Sequence, residues 1–188
     1  MLNYLIRKAN QLRAETIVKR IEPYIKNSNK LIDIGSGTGY VASILKREGK
    51  DITPVDVDSF RGLRLIKPII YDGKKLPFPD KSFGTGLLLM VLHHTPDPST
   101  VFSEAARVAR DIVVIETSYK NCIEKCITVI ADTISNLQTK ANWDSYKTDS
   151  EWKEFFMNKG FRIVDSHHYK DYNIGVPFLH ILYYLKKF

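Results

Sequence analysis

The sequence is poor in cysteine and tryptophan, with two of each among 188 residues. Cys122 and Cys126 are four positions apart, so a disulfide between them would close almost no loop. A disulfide framework is therefore not expected, and the thiols favour a reduced, cytoplasmic setting. Two cysteines alone also give little support to a metal centre, and we predict no metal site.

Long apolar runs are also missing from the sequence. No stretch approaches the roughly 18 uncharged residues of a membrane-spanning helix, so we expect no transmembrane segment. The first eight residues place charges directly after a short apolar stretch and have no small-residue cleavage site, which makes them a poor signal peptide. Apolar residues are 44% of the chain and charged residues 26%, a balance typical of one soluble globular domain.

Acidic residues are outnumbered, with 21 Asp and Glu against 28 Lys and Arg. Residues 1–30 carry seven of the basic residues and only two acidic ones, so much of the excess lies at the N-terminus. A solvated helix face explains this pattern in the simplest way. A surface that meets an anionic substrate, a membrane or RNA is the alternative, and the sequence leaves both open.

Hydrophobic periodicity alternates between strand and helix along the chain. We predict an N-terminal helical region over 2–26, interrupted by a kink or a break, and further helices at 40–47, 99–109, 123–137 and from 151. Strands are predicted at 30–34, 51–57, 65–71, 86–92, 112–115, 161–164 and 179–185. This alternation is typical of an α/β fold with a mostly parallel sheet that helices cover on both faces.

A glycine-rich loop joins the first strand to the next helix, in the segment Asp33-Ile34-Gly35-Ser36-Gly37-Thr38-Gly39. Its glycines allow a tight turn close to a ligand, and the following helix N-terminus favours a carboxylate or another anion. The dinucleotide pattern would need a glycine where Tyr40 stands, which argues against an NAD-type oxidoreductase. With a carboxylate at Asp33, an amino-acid ligand fits better than a pyrophosphate.

The motifs, taken together, resemble the class I S-adenosylmethionine (SAM) methyltransferases, and more narrowly their type 11 group. The resemblance is good over 28–116 and looser over 148–185. It rests on the glycine loop and on four further motifs in order: Asp56 after the second strand, Asp72 before Leu76-Pro77-Phe78, Val91-Leu92-His93-His94-Thr95-Pro96-Asp97-Pro98, and Glu104-Ala105-Ala106-Arg107-Val108.

The resemblance implies SAM as cofactor, S-adenosylhomocysteine as product, and a role for each matching residue. Asp56 would accept from both ribose hydroxyls, Val57 would pack on the adenine, and Asp72 would accept from its amino group near the Gly73 N–H. The Met90 carbonyl would meet the methionine ammonium. The glycine loop would bind the methionine portion through Asp33, Gly35, Ser36 and Gly37.

The resemblance also implies a Rossmann-like three-layer αβα sandwich. Its seven-stranded, mostly parallel sheet would have the order 3-2-1-4-5-7-6, with the last strand antiparallel. We expect one domain with four parts: an N-terminal helical lid at 1–27, a SAM-binding core at 28–116, a helical substrate cover at 117–150, and a C-terminal helix and strands at 151–188.

Two departures from the family pattern stand out. Phe83-Gly84 replaces the usual phenylalanine-aspartate before strand four, and we expect only a local change there. Only fifteen residues separate Asp56 from Asp72, which leaves little room for the usual helix. A short turn at 59–62 is predicted instead.

Catalysis by methyl transfer needs the acceptor held close to the methyl group and water excluded. His93 and His94 follow strand four, at the switch point where α/β proteins bind ligands. They are candidates for a base or for a pair that orients the substrate. The plainer interpretation is that one histidine packs structurally and the other caps a turn. We treat His167, His168 and His180 as structural or surface residues, and Glu104 with Arg107 as a helix-surface pair.

The acceptor itself is not identified by the sequence. We expect a small molecule, anionic if the basic N-terminal segment steers it, bound under a cover that includes Trp143 and Tyr146. The apolar stripe of 123–137 fits either the core or a binding wall.

A SAM-binding module without catalysis remains an alternative, as does an RNA or protein methyltransferase. Met90-Val91-Leu92-His93 replaces the tetrapeptide typical of base-nitrogen methylation, which argues against that reaction on nucleic acid. The oligomeric state is not indicated.

Overall fold

The computed structural model describes residues 2–57, 65–135, 143–173 and 176–188. The predicted turn at 59–62 lies outside these residues. The helices are α1 (Leu2–Ile25), α2 (Tyr40–Arg47), α3 (Pro98–Val108), α4 (Cys122–Ser135) and α5 (Asp149–Asn158). The strands are β1 (Leu31–Ile34), β2 (Ile52–Asp56), β3 (Ile69–Ile70), β4 (Phe83–Leu89), β5 (Ala109–Ser118), β6 (Phe161–Asn173) and β7 (Val176–Lys187). Within the described ranges, no helix is both long and apolar enough to cross a membrane.

The strands form one seven-stranded mixed sheet in the order β3-β2-β1-β4-β5-β7-β6. β1 pairs in parallel with both β2 and β4, and β2 pairs in parallel with β3. β6 and β7 pair antiparallel along their whole length, with a register shift between Ile163 and Asp165. The order expected from the family resemblance is therefore confirmed.

Two compact units make up the chain. One contains Met1–Leu89 and Glu104–Val113, and the other contains Met90–Ser103 and Val114–Phe188. In the first unit, β1 is buried along its whole length and α1 packs against α2. In the second, Phe102 contacts the rings of Phe156 and Phe161 at centroid distances of 5.2 and 5.3 Å. Each unit thus has its own apolar core.

Helix α1 differs from its prediction because it is one continuous helix that includes Pro23. The break expected in this region is therefore wrong. The apolar positions of its second half, Ile17, Val18, Ile21 and Ile25, are buried, while Leu12, which belongs to the apolar positions of the first half, is 55% exposed. The change in the spacing of apolar residues after Leu12 therefore marks where the helix becomes buried, and not where it ends.

The fourth strand begins and ends three residues earlier than predicted. It covers Phe83–Leu89, and Leu92 lies in a short 3-10 turn, Leu92–His94. The departure at Gly84 has a local cause, since a Cβ at this position would collide with the Ser28 hydroxyl. Helix α5 begins with a capping box, in which the Thr148 side chain and the Glu151 side chain each accept from the other residue's backbone N–H.

Glu104 and Arg107 do more than pair on a helix surface. Arg107 donates to Glu104 and Asp80 and to the carbonyls of Phe78 and Leu76. Glu104 accepts from the Leu76 N–H at 2.8 Å. The proline-rich loop at 76–80 has few hydrogen bonds of its own, so this pair satisfies and fixes its backbone. The surface-pair interpretation is therefore incomplete.

Candidate SAM-binding and acceptor site

The glycine loop adopts a backbone that other residues rarely tolerate. Gly35, Gly37 and Gly39 have φ of 74°, 52° and 75°, in the left-handed region that favours glycine. A Cβ at Gly39 would lie 3.2 Å from the Ile66 backbone. The Gly35 N–H donates to the Val55 carbonyl at 2.9 Å. The loop is therefore tightly held against β2, as a close approach to a ligand requires.

Some polar groups of this loop would gain hydrogen-bond partners from a bound ligand. The Ser36 hydroxyl oxygen is buried and has no hydrogen-bond partner among the described residues. Gly39 precedes α2 and offers no side-chain cap to its first N–H groups. Buried polar groups are normally hydrogen-bonded, so an incoming carboxylate or ammonium group would find partners here.

Asp56 connects the end of β2 to the glycine loop. Its Oδ2 accepts from the Gly37 N–H at 2.8 Å, and its Oδ1 accepts from the Val57 N–H at 2.7 Å. Each carboxylate oxygen can accept a second hydrogen bond, so the orientation fits the ribose role that the resemblance implies. Asp33, two residues before Gly35, is buried. Its burial, together with the nearby Asp56 carboxylate, raises the pKa of Asp33 to about 7.

Val57, Asp72 and Gly73 lie together as the adenine role requires. Val57 is 55% exposed, and a Cβ at Gly73 would be 3.2 Å from its Cγ1. Oδ1 of Asp72 accepts from the N–H groups of Lys74 and Lys75 at 2.8 Å each, which lowers the pKa of this carboxyl. A fixed carboxylate beside an exposed apolar side chain suits a flat ring with an amino group.

Met90 follows β4 in a strained conformation. Its φ is 60°, which is uncommon for a residue with a side chain and frequent at functional sites. The Met90 N–H donates to the Ile115 carbonyl at 2.7 Å, which holds the turn in place. The backbone therefore changes direction at the residue whose carbonyl the resemblance assigns to the methionine ammonium.

Glu116 organises the turn that follows Met90. Its Oε1 accepts from the N–H groups of Val91 and Leu92 at 3.1 and 2.7 Å, and its Oε2 contacts Nδ1 of His93. Glu116 and His93 are both buried. These contacts of His93 fit the structural role considered above for one histidine of the pair. Nothing in the local sequence indicated Glu116, an acidic residue that directly follows the apolar run 112–115.

His94 is the accessible member of the pair, with 25% of its side chain exposed. Its Nε2 lies 3.5 Å from Oδ2 of Asp132, and Nε2 of His93 lies 3.8 Å from the same oxygen. The Tyr146 hydroxyl donates to that oxygen at 2.5 Å, and burial raises the pKa of Tyr146. We call His93, His94 and Asp132 the histidine cluster. Sequence reasoning missed Asp132.

The remaining histidines lie apart from this cluster. His167 contacts Asp165, His168 contacts Asp149, and His180 contacts the Thr117 hydroxyl. They occupy the strands β6 and β7 and make ordinary polar contacts there. Their interpretation as structural or surface residues fits these positions.

Helix α4 presents its apolar stripe to solvent. Ile123, Ile127, Ile130 and Ile134 are 73%, 50%, 52% and 61% exposed, whereas the inward face carries Thr128, Val129 and Asp132. Placing this stripe in the core is therefore wrong. Of the two cover residues expected, Trp143 is 41% exposed and Tyr146 is buried.

Residues 32–113 match a family model described as a methyltransferase domain. This segment contains the glycine loop, Asp56, Asp72 and the two histidines, so the motifs and the match coincide. Residues 32–113 are therefore similar to a methyltransferase domain, and their motifs resemble the class I type, whose cofactor is SAM.

Two curated relatives match about half of the chain. One is a tRNA U34 carboxymethyltransferase from Nautilia profundicola, 30% identical over 115 residues, which are 51% of this chain and 38% of that protein. The other is a malonyl-[acyl-carrier protein] O-methyltransferase from Halorhodospira halophila, 29% identical over 106 residues, 50% of this chain and 36% of that protein. The matched segment thus spans well under half the length of either relative.

A solved structure supports the fold over most of the chain. A SAM-dependent methyltransferase from Methanosarcina mazei superimposes with a TM-score of 0.69 at 19% identity. The alignment covers 89% of this chain and 96% of that one. At this identity the likeness concerns the fold alone, and it agrees with the observed strand order.

Proposed function

We propose that this protein transfers the methyl group of SAM to an acceptor molecule. The observation that carries the proposal is the hydrogen bond from Gly37 N–H to Asp56 Oδ2 at 2.8 Å. It brings the loop suited to the methionine portion and the carboxylate suited to the ribose into one arrangement. The family match over 32–113 supports the same cofactor.

The residues of the first unit fit the parts of this cofactor in order along the molecule. Asp56 binds the two ribose hydroxyls, because a carboxylate offers paired acceptors. Val57 and Gly73 border the adenine, and Asp72 accepts from its amino group. The buried Ser36 hydroxyl gains a partner in the methionine portion, which would also lie against Asp33, Gly35 and Gly37. Met90 begins the second unit, and the family resemblance assigns its carbonyl to the ammonium.

The methyl transfer requires little covalent chemistry from the protein itself. When bound, SAM supplies a methyl group on a sulfonium, which leaves as a neutral thioether while an acceptor lone pair forms the new bond to carbon. The protein must hold the acceptor in line and exclude water. Where the acceptor atom carries a proton, a nearby group must take it, and we assign this acceptor side to the histidine cluster, with His94 as its accessible member.

We propose a small anionic acceptor as the first candidate. The basic excess of residues 1–30 would attract such a molecule, and one relative is named for O-methylation of a malonyl group on a carrier protein. RNA is the second candidate, because the other relative is named for tRNA. The two exposed thiols, Cys122 and Cys126, support a reducing cytoplasmic setting for the reaction.

Incubation with methyl-labelled SAM and fractionated cell extract tests this proposal. The extract is divided into a low-molecular-mass filtrate, purified RNA and protein, and S-adenosylhomocysteine is measured in each reaction. We expect turnover with the filtrate. Turnover only with RNA, abolished by nuclease, would favour the second candidate. Calorimetric SAM binding without turnover in any fraction would indicate a binding module and contradict the proposal.

A further inference from the structure

The histidine cluster gathers three side chains that are common metal ligands. Ligand atoms from His93, His94 and Asp132 all lie within 4.8 Å of one another. The two histidines come from the turn after β4, and Asp132 comes from the inward face of α4. We propose that these three residues bind one divalent metal ion of the zinc type.

Two distances in the cluster, each between a histidine and Asp132, suit coordination better than direct hydrogen bonding. The two Nε2 atoms lie 3.5 and 3.8 Å from Asp132 Oδ2, beyond the roughly 2.7–3.2 Å of an N–H···O hydrogen bond. Zinc binds histidine nitrogen and carboxylate oxygen at about 2.0–2.2 Å, so neighbouring ligand atoms of a tetrahedral site are about 3.3–3.5 Å apart. Shortening of these two His–Asp132 distances by at most a few tenths of an ångström would bring both to the values of a tetrahedral zinc site.

Outer hydrogen bonds already orient two of the three ligands. The Glu116 carboxylate contacts Nδ1 of His93, which favours the tautomer with its proton on Nδ1 and turns the Nε2 lone pair toward the cluster. A carboxylate on the far nitrogen of a metal-binding histidine is a recurrent feature of zinc sites. The Tyr146 hydroxyl holds Asp132 in the same way.

The charges also favour a cation. Glu116 is fully buried, and the Asp132 residue is only 6% exposed. Buried carboxylates are costly unless they are paired or bind a metal ion. A divalent ion between the imidazoles would compensate Asp132 directly and Glu116 through His93.

Three protein ligands leave one position of a tetrahedral site for a small molecule. The partial exposure of His94 provides access from solvent. A zinc ion lowers the pKa of a hydroxyl or thiol bound at such a position. This step alone rests on the proposed methyl transfer. An acceptor with a hydroxyl or thiol would be held there as its conjugate base, with its proton released to solvent beside the exposed His94.

Metal titration tests the site without any turnover. The Cys122→Ser/Cys126→Ser double variant serves as the parent, because exposed thiols bind zinc by themselves. The parent is dialysed against a chelator and titrated with Zn²⁺ by calorimetry and with Co²⁺ by visible absorption. We expect one ion per chain and the absorption of a tetrahedral cobalt site.

Single variants of this parent identify the ligands. His94→Gln and Asp132→Asn should weaken zinc binding at least 100-fold, and Glu116→Gln should weaken it about 10- to 100-fold through His93. His168→Gln, outside the cluster, serves as the matched control and should bind like the parent. Circular dichroism verifies that each variant is folded, and His94→Gln, at the accessible ligand, is the variant least expected to disturb folding.

Two results would overturn the site. One is the absence of a one-to-one zinc isotherm in the folded parent, and the other is unchanged affinity in folded His94→Gln. SAM affinity, measured on the same samples, separates this failure from failure of the proposed function. Loss of zinc binding with intact SAM binding would leave the methyltransferase proposal standing.

Discussion

Nδ1 of His93 contacts the carboxylate of Glu116, and both side chains are buried. Glu116 also accepts two backbone N–H groups of the turn after Met90. One carboxylate thus fixes three donors within three consecutive residues. The position of His94, the next residue, depends on this arrangement.

Glu116→Ala should destabilise the fold by about 3 kcal/mol, because two buried donors and one part-buried donor lose their acceptor. Glu116→Gln should cost less, since its amide oxygen can still accept from the two backbone N–H groups. Urea unfolding measures both. Glu154→Ala, on the exposed face of α5, is the control, and an equal effect of the two alanine variants would refute this role of Glu116.

Asp56→Ala should weaken SAM binding at least tenfold by calorimetry, because it removes the paired acceptors for the ribose. Asp56→Asn retains one acceptor for the Gly37 N–H but loses the second, so it should preserve the loop better and still bind SAM more weakly. Asp51→Ala, exposed just before β2, should bind normally. Unchanged affinity in Asp56→Ala would remove this residue from the cofactor site.

His94→Ala should lower turnover much more than SAM affinity, since we assign His94 to the acceptor side. The comparison requires kcat with the identified acceptor and a separate SAM titration. His168→Ala is the control at an exposed position beside Asp149. Parallel losses of turnover and SAM affinity would instead indicate a general effect on the fold.

Asp33 should make the stability of the ligand-free protein depend on pH. Its folded pKa is raised from 3.8 to about 7, so between these values the folded chain keeps a proton that the unfolded chain releases. The free energy of unfolding therefore falls as pH rises through this window, by at most about 1.4 kcal/mol per pH unit. Below the window this group has no effect, and above it the loss is complete.

Asp33→Asn removes this titration. Urea unfolding at about pH 5 and about pH 8 should show a smaller difference in the variant than in the parent, by about 2 kcal/mol. The same pH difference in both proteins would show that Asp33 titrates normally.

Arg107→Ala should destabilise the first unit by about 2 kcal/mol, because part-buried carbonyls of the 76–80 loop lose a charged donor. Arg107→Lys should rescue little, since a single ammonium cannot reproduce the planar set of donors. Urea unfolding and limited proteolysis at the loop provide the measurements. Arg110→Ala, exposed at the start of β5, should have no such effect.

The sequence predicted the glycine loop directly from one contiguous motif, and it predicted the strand order only through the family resemblance that the motifs carry. The sequence prediction placed the fourth strand three residues too late, because the apolar run continues through Met90 to Leu92. Hydrophobicity alone does not show the change of chain direction at Met90, whose φ is positive. Helical periodicity likewise predicted the stripe of α4 but not the side that faces the protein.

The acceptor side was less predictable for a different reason. Glu116 is 23 positions from His93, and Asp132 lies farther along the chain, on the inward face of a helix. Neither acid belongs to a local motif. Only tertiary packing brings them to the histidines, so no pattern within one segment could have indicated the cluster.

The position of the two cysteines has a practical consequence. Both are exposed on α4, and they are the only thiols of the chain. Any thiol-reactive fluorophore or spin label therefore attaches to the helix that carries Asp132. A single-cysteine variant would report on the movement of this helix when zinc or substrate is added, so the native sequence already contains the attachment point for a spectroscopic sensor.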